Sequence, residues 1–196
     1  MPPPPIIPPD LLLDAYRQGW FPMGEQGTTR LDWFSPDPRG VLPLDDYHAP
    51  ARLARRVRQQ RFRVTLDTAF PAVMRQCAAR RDETWISELI VASYEELHRR
   101  GYAHAVEVWQ GDALVGGLYG VALGAAFFGE SMFHLATDAS KVALDALVAR
   151  LRRQQFSLLD IQWVTPHLAQ FGAVAIPRED YLARLADAVE TDARFG

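Results

Sequence analysis

The chain has 196 residues, of which 48% are hydrophobic, and a formal net charge of −3. That size allows one compact domain or two small ones with a proper core, and the charge argues against a protein that coats nucleic acid indiscriminately. A single cysteine, Cys77, excludes an intramolecular disulfide and any multi-cysteine metal site, and the histidines at 48, 98, 104, 134 and 167 show no metal-ligand spacing.

Residues 1–9 are mostly proline and lack the basic region, long apolar core and cleavage site of a secretory signal, so they read as an extended polyproline leader. Leu12, Leu13 and Tyr16 give a helical pattern over 10–19 that stops at Gly19. Proline and glycine are dense from there to Pro43, and 32–39 reads as an ordered aromatic loop. Pro50 suits the first turn of a helix to about residue 60, with Leu53 and Val57 as its buried stripe and Arg52, Arg55 and Arg56 together on one edge. No acid falls between Arg52 and Arg63, so a phosphate seat and a plain solvated face are both open for that edge.

Further helices are predicted over 70–79 and 87–100. Strands follow at 104–109, 114–123 and 125–133, joined by turns at 110–112 and at Gly124 into an antiparallel meander. Asp138 can cap a helix in which Leu144, Leu147 and Leu151 recur at helical spacing to about residue 154. A strand over 156–164 and a last helix over 178–189 complete the order β-β-β-α-β-α. This is the pattern of an N-acyltransferase core, in which the meander and the next strand separate to leave a wedge for an acyl donor, although many α+β domains share it. No stretch reaches the roughly 20 apolar residues of a membrane helix. A soluble, cytoplasmic protein is expected.

Two strands carry polar groups where burial should exclude them. Glu130 interrupts the apolar run from Phe127 to Phe133, and an ionised carboxylate buried without partners costs several kcal/mol or shifts its pKa upward. Asp160 and Gln162, two residues apart, project to one face of their strand, while Leu159, Ile161 and Trp163 line the other. A structural ion pair or a loop cap would explain either feature singly. Both fall on the strands that would line the wedge, which points to a site.

The segments Asp32-Trp33-Phe34-Ser35-Pro36-Asp37-Pro38-Arg39, Thr84-Trp85-Ile86, His104-Ala105-Val106-Glu107-Val108-Trp109, Leu114-Val115-Gly116-Gly117-Leu118-Tyr119-Gly120-Val121-Ala122 and Gly129-Glu130-Ser131-Met132-Phe133 belong together. With Asp138-Ala139-Ser140-Lys141, Asp160-Ile161-Gln162 and Thr165-Pro166-His167-Leu168, they form an ordered series that resembles the bacterial leucyl/phenylalanyl-tRNA–protein transferases. The resemblance covers nearly all of the chain after the leader. It implies an α+β protein with a small N-terminal domain (10–64) and a GNAT-like (acyl-CoA N-acyltransferase-like) domain (65–196) whose mixed sheet is mostly antiparallel. It further implies transfer of Leu or Phe, with Met as a further donor, from aminoacyl-tRNA to proteins with N-terminal Arg or Lys. Those proteins then become degradation substrates. A monomer is expected.

The donor is already an activated ester, so aminolysis needs no metal, thiol, covalent intermediate or cofactor. An α-amine titrates near ~7.7–8.0, so only a minority is ready to attack at neutral pH. The resemblance makes Asp160 and Gln162 the catalytic pair. A neutral amide is a very weak base, so Gln162 is expected to aim the amine by a hydrogen bond, with Asp160 orienting Gln162 and favouring positive charge on nitrogen. Glu130 would face them across the wedge, binding the incoming ammonium or positioning the aminoacyl group. The resemblance also places Leu118, Phe127 and Met132 in an apolar slot, with Leu147 and Leu151 from the helix behind. Phe127 and Met132 differ in strand parity and can share a face only across a bulge, expected at Gly129. Trp33 and Trp85 are candidates to stack near the adenosine at the tRNA 3′ end, and the arginine helix is the candidate seat for tRNA phosphates. Two alternatives stay open on sequence. An acetyl-CoA-dependent acetyltransferase would want a glycine-bearing pyrophosphate loop where 135–141 has an acid and no glycine, and a non-catalytic RNA-binding module leaves Glu130, Asp160 and Gln162 unexplained.

Overall fold

The computed structural model describes residues 4–59, 61–79 and 84–196. The N-terminal part contains α1 (Pro9–Arg17), β1 (Phe21–Gly24), β2 (Leu31–Phe34), β3 (Arg39–Val41) and α2 (Ala51–Arg58). Next come β4 (Arg63–Leu66), α3 (Phe70–Ala78), α4 (Glu88–Arg99) and the meander of β5 (Ala103–Gln110), β6 (Ala113–Leu123) and β7 (Ala126–His134). The chain continues through α5 (Ala139–Arg153), β8 (Leu158–Gln162), α6 (Pro166–Ala169), β9 (Val174–Ile176) and α7 (Arg178–Glu190).

Alternation of apolar side chains across the meander builds two cores at once. Ala103, Ala105, Tyr119, Val121 and Phe128 face a cluster completed by α1, α3, α4 and α7, whereas Val106, Val108, Leu118 and Phe127 face a second cluster under α5. Burial on both faces explains why these strands read as nearly continuous apolar runs. Among the described residues the large sheet has the order β4-β5-β6-β7-β8-β3-β9, and only β7 and β8 run parallel, as expected for strands joined by a crossover helix. The sheet thus takes in β3, which lies within the stretch that sequence grouped with the N-terminal unit. No helix among the described residues is long and apolar enough to cross a membrane.

Several local expectations are corrected. The stretch after Gly19 is not all loop, because Phe21–Gly24 pairs antiparallel with Leu31–Phe34. The loop that follows serves the fold directly, since Asp37 Oδ1 accepts from the Arg178 backbone N–H at 3.0 Å and so caps α7, whose own N-cap, Pro177, offers no side-chain acceptor. On α2, Leu53 is buried but Val57 is 39% exposed, so the buried stripe is narrower than the spacing suggested. Asp138 occupies the N-cap position of α5 without a side-chain capping bond and instead pairs with Lys141 at 3.4 Å. Short β4, α6 and β9 lie outside the predicted elements, their three or four residues being too few to show a period.

The wedge arises at two irregularities. Parallel pairing of β7 with β8 spans only Ala126–Phe128 against Leu158–Asp160. In β7, Ser131 lies opposite Tyr119 and Gly129 opposite Gly120, so Glu130 is the extra residue of a bulge. The bulge falls one residue beyond the expected Gly129. It puts Phe127 (opposite Ala122) and Met132 (opposite Leu118) on the same face as Leu118.

Candidate active site

A cavity of about 770 Å³ occupies the wedge and takes its walls from both faces of the sheet. On the α5 face it is mostly apolar, with Leu118, Met132, Leu144, Leu147, Leu159 and Ile161 beside Ser140. Tyr119 from the opposite face of β6, Gln76 and Ala79 from the end of α3, and Trp85 line the other part. Glu130 and Gln162 border the gap between β7 and β8, where Gln162 Nε2 donates to Glu130 Oε1 at 3.3 Å. That bond turns the amide oxygen of Gln162 away from the carboxylate, free to accept from an amine.

Two phenols hold the Glu130 carboxylate. Tyr16, from the buried stripe of α1, donates to Oε1 at 2.6 Å, and Tyr94, from α4, reaches Oε2 at 3.5 Å while also bonding to Tyr16. Cavity solvent reaches part of Glu130, yet the group lies deep in the protein. This burial pushes its pKa up to about 8, with the Asp160 charge adding to the rise and the Tyr16 and Tyr94 hydrogen bonds and Arg39 opposing it. Both tyrosines are themselves pushed upward, by burial first and then by the Glu130 charge, so they remain protonated donors.

Asp160 is at the site but not in the cavity. Fully buried, it forms a bidentate pair with the equally buried Arg39, whose Nε and Nη2 donate to Oδ1 and Oδ2 at 3.0 and 2.6 Å. Tyr181 of α7 donates to Oδ2 at 2.7 Å. Asp160 does not bond to the side chain of Gln162, as an oriented pair would require. Its Oδ1 instead accepts the Gln162 backbone N–H at 2.8 Å. Gln162 has φ +58°, and the Trp163 N–H closes on the Ile161 carbonyl at 2.7 Å, making a γ-turn in a backbone region that non-glycine residues seldom adopt. Opposite this turn in β3 stands Gly40, where a Cβ would lie 2.7 Å from the Trp163 carbonyl carbon. Asp160, Arg39 and Gly40 thus hold a strained turn that sends Gln162 toward Glu130. The turn also breaks the alternation of β8. Trp163 does not join Leu159 and Ile161 but meets Phe21 edge-on at 5.3 Å, 45% exposed at the cavity rim.

Leu118, Met132, Leu147 and Trp85 border the cavity, whereas Phe127 and Leu151 lie behind it, buried in the cluster under α5. Trp33, opposite Pro22 in the β1–β2 pair, packs against the other core and is not among the residues that border the cavity. Arg55 is exposed on α2, while the side chains of Arg52 and Arg56 lie outside the described residues. Sequence reasoning missed Arg39, Tyr16, Tyr94, Tyr119 and Tyr181. Arg39 stands within one of the ordered motifs, but nothing local assigns it a partner 121 residues away.

An antiparallel meander whose last strand splays from a parallel neighbour, with an apolar slot beside a carboxylate and an amide, is a GNAT-like α+β fold. The L-PGS structure from Bacillus licheniformis has the same fold, with a TM-score of 0.50 at 8% identity over 92% of this chain and 70% of that one. The sequence pattern of leucyl/phenylalanyl-tRNA protein transferase matches residues 41–186, and that of the N-terminal domain of the same family matches 7–37. The leucyl/phenylalanyl-tRNA–protein transferase of Paramagnetospirillum magneticum (strain ATCC 700264 / AMB-1) is 57% identical over 190 residues, 95% of this chain and 91% of its own. That of Gloeobacter violaceus (strain ATCC 29082 / PCC 7421) is 52% identical over 187 residues, 95% and 96% of the two chains. The chain belongs to the leucyl/phenylalanyl-tRNA protein transferase family. It is an aminoacyltransferase with aminoacyl-tRNA as donor and a protein as acceptor, which removes the acetyl-CoA and non-catalytic alternatives.

Proposed function

We propose that this enzyme moves Leu or Phe, with Met as a further donor, from aminoacyl-tRNA to the α-amino group of proteins that begin with Arg or Lys, marking them for degradation. It acts as a cytoplasmic monomer. The observation that carries the reading is the Glu130–Gln162 pair at the junction between the apolar slot and the opposite face of the sheet. The donor side chain enters the slot of Leu118, Met132 and Leu147, with Phe127 and Leu151 as its backing. Its ester carbonyl then lies at the gap.

The acceptor nitrogen attacks the ester carbonyl carbon, the amide C–N bond forms, and the C–O bond to the tRNA ribose breaks. The amine loses a proton and the departing ribose oxygen gains one. Gln162 aims the amine through its amide oxygen. Glu130, at about 8, is matched to an α-amine near ~7.7–8.0 and to the neutral working range, so it can take the proton and hand it on. Asp160 acts by holding the turn of Gln162. Trp85 offers a face to the terminal adenine, and the arginine edge of α2, with Arg52, Arg55 and Arg56, meets tRNA phosphates. Incubation with radiolabelled Leu-tRNA and an Arg-starting peptide tests the reading. An acid-stable labelled peptide is expected, and its absence, or equal labelling of a peptide starting with Glu, would overturn it.

A further inference from the structure

We propose that the Tyr119 hydroxyl is a substrate-binding group, the second acceptor beside Glu130 for a primary α-amine held in the cavity; this rests on the aminoacyl-transfer reading above. Tyr119 is completely buried, it is one of the residues that border the cavity, and its hydroxyl has no hydrogen-bond partner among the described residues. Most buried hydroxyls in folded proteins are paired, and leaving one unpaired destabilises the fold. The ring by itself already accounts for the packing. It meets Phe70 and Tyr94 edge-on, with centroids 6.1 and 5.7 Å away, and phenylalanine would make the same contacts without the stranded oxygen. The hydroxyl is therefore a cost to the folded protein with no structural return.

Position says what the oxygen is for. Tyr119 lies opposite Ser131, at the edge of the bulge that ejects Glu130, and on the face of β6 opposite Leu118 and the apolar slot. A ligand group reaching Tyr119 is therefore not the donor side chain. Tyr16 and Tyr94 occupy the Glu130 carboxylate from the helix side, and Gln162 from the β8 side. The remaining approach is from the cavity, which Tyr119 borders. A primary amine entering there has two or three N–H bonds to give, one to the carboxylate and one to the phenol oxygen. Burial, and then the nearby Glu130 charge, push the Tyr119 pKa up, so the group stays a neutral phenol and adds no charge to the site. Selecting an amine by two converging acceptors rejects an N-acylated analogue, which keeps only one N–H and has no room to place its acyl group.

The amine has two possible sources in this reaction: the free α-amino group of the donor aminoacyl moiety, or the N-terminal amine of the acceptor. Tyr119→Phe separates them. The melting temperature of the variant is expected to equal or exceed that of the parent protein. If the donor amine is bound, KM for Leu-tRNA rises about tenfold, while KM for N-acetyl-Leu-tRNA is unchanged. If the acceptor amine is bound, KM for the Arg-starting peptide rises by about the same factor and KM for Leu-tRNA does not. Unchanged kinetics for both substrates would overturn the proposal, as would a fall in melting temperature showing that the hydroxyl is paired for stability. Failure of the parent protein to label the peptide would instead remove the transfer reading on which the proposal stands.

Discussion

Two glutamates set in apolar strands show what a residue's surroundings contribute. Glu107 and Glu130 each interrupt an apolar strand, and nothing in the sequence separates them. Glu107 is saturated by Thr65 Oγ1 at 2.6 Å, Thr68 Oγ1 at 3.2 Å and the Ala69 backbone N–H at 3.0 Å, and it ties β4 and the start of α3 to β5. Glu130 instead borders a cavity with its pKa raised to about 8. Its raised pKa makes stability depend on pH. Below the ordinary value of 4.5 the folded and unfolded states both hold the proton and the contribution is fully present. Between 4.5 and about 8 only the folded state holds it, so unfolding free energy falls by up to about 1.4 kcal/mol per pH unit as pH rises. Glu130→Gln should abolish that slope in denaturant titrations across this window and slow peptide labelling by about a hundredfold or more. For Asp160→Asn, loss of the charge facing buried Arg39 should lower unfolding free energy by about 3–5 kcal/mol. At temperatures where the variant remains folded, single-turnover transfer should be slow while tRNA binding, measured by filter retention, stays normal. Retained stability together with full activity would contradict the role given to the Arg39–Asp160 pair.

Among the elements, β7 and β8 make the site by failing to pair. Ideal strands would continue their ladder past Phe128 and Asp160 and close the wedge. The Glu130 bulge and the γ-turn at Gln162 prevent this, and Gly40 leaves room for the turn. The bulge was legible in outline because Phe127 and Met132, with opposite parity, both had to face the slot. The γ-turn was not, since its cause is a carboxylate held by β3 and α7, elements remote in sequence. Met132, half-buried where β7 edges the slot, offers a test of donor choice. Met132→Phe should shorten the slot and shift the ratio of kcat/KM for Leu-tRNA over Phe-tRNA by about tenfold in favour of Leu. An unchanged ratio in competition assays would move the slot elsewhere.

Across the whole molecule, α1, α4, α7 and β3 each send one residue to the same place from a different part of the chain: Tyr16, Tyr94, Tyr181 and Arg39. The N-terminal segment is thus part of the site's support and not merely attached to it. Helix α2 packs beside α5 on the other face. If the combined change of Arg52, Arg55 and Arg56 to alanine removes three phosphate contacts, tRNA binding should weaken and the slope of log affinity against log salt should flatten by about 2–3. Normal binding at every salt concentration would exclude this face.

The order of residues alone was enough to reach the family, the meander, the crossover helix and the polar intrusions at Glu130, Asp160 and Gln162. Those features are written locally, as ordered words, as periods of two or 3.6, and as charges where apolar residues belong. It could not reach the phenols around Glu130, the burial of Asp160 against Arg39, or the unpartnered hydroxyl of Tyr119. Each depends on contacts between segments from tens of residues to more than a hundred apart, and long-range packing leaves no period in the sequence of either partner.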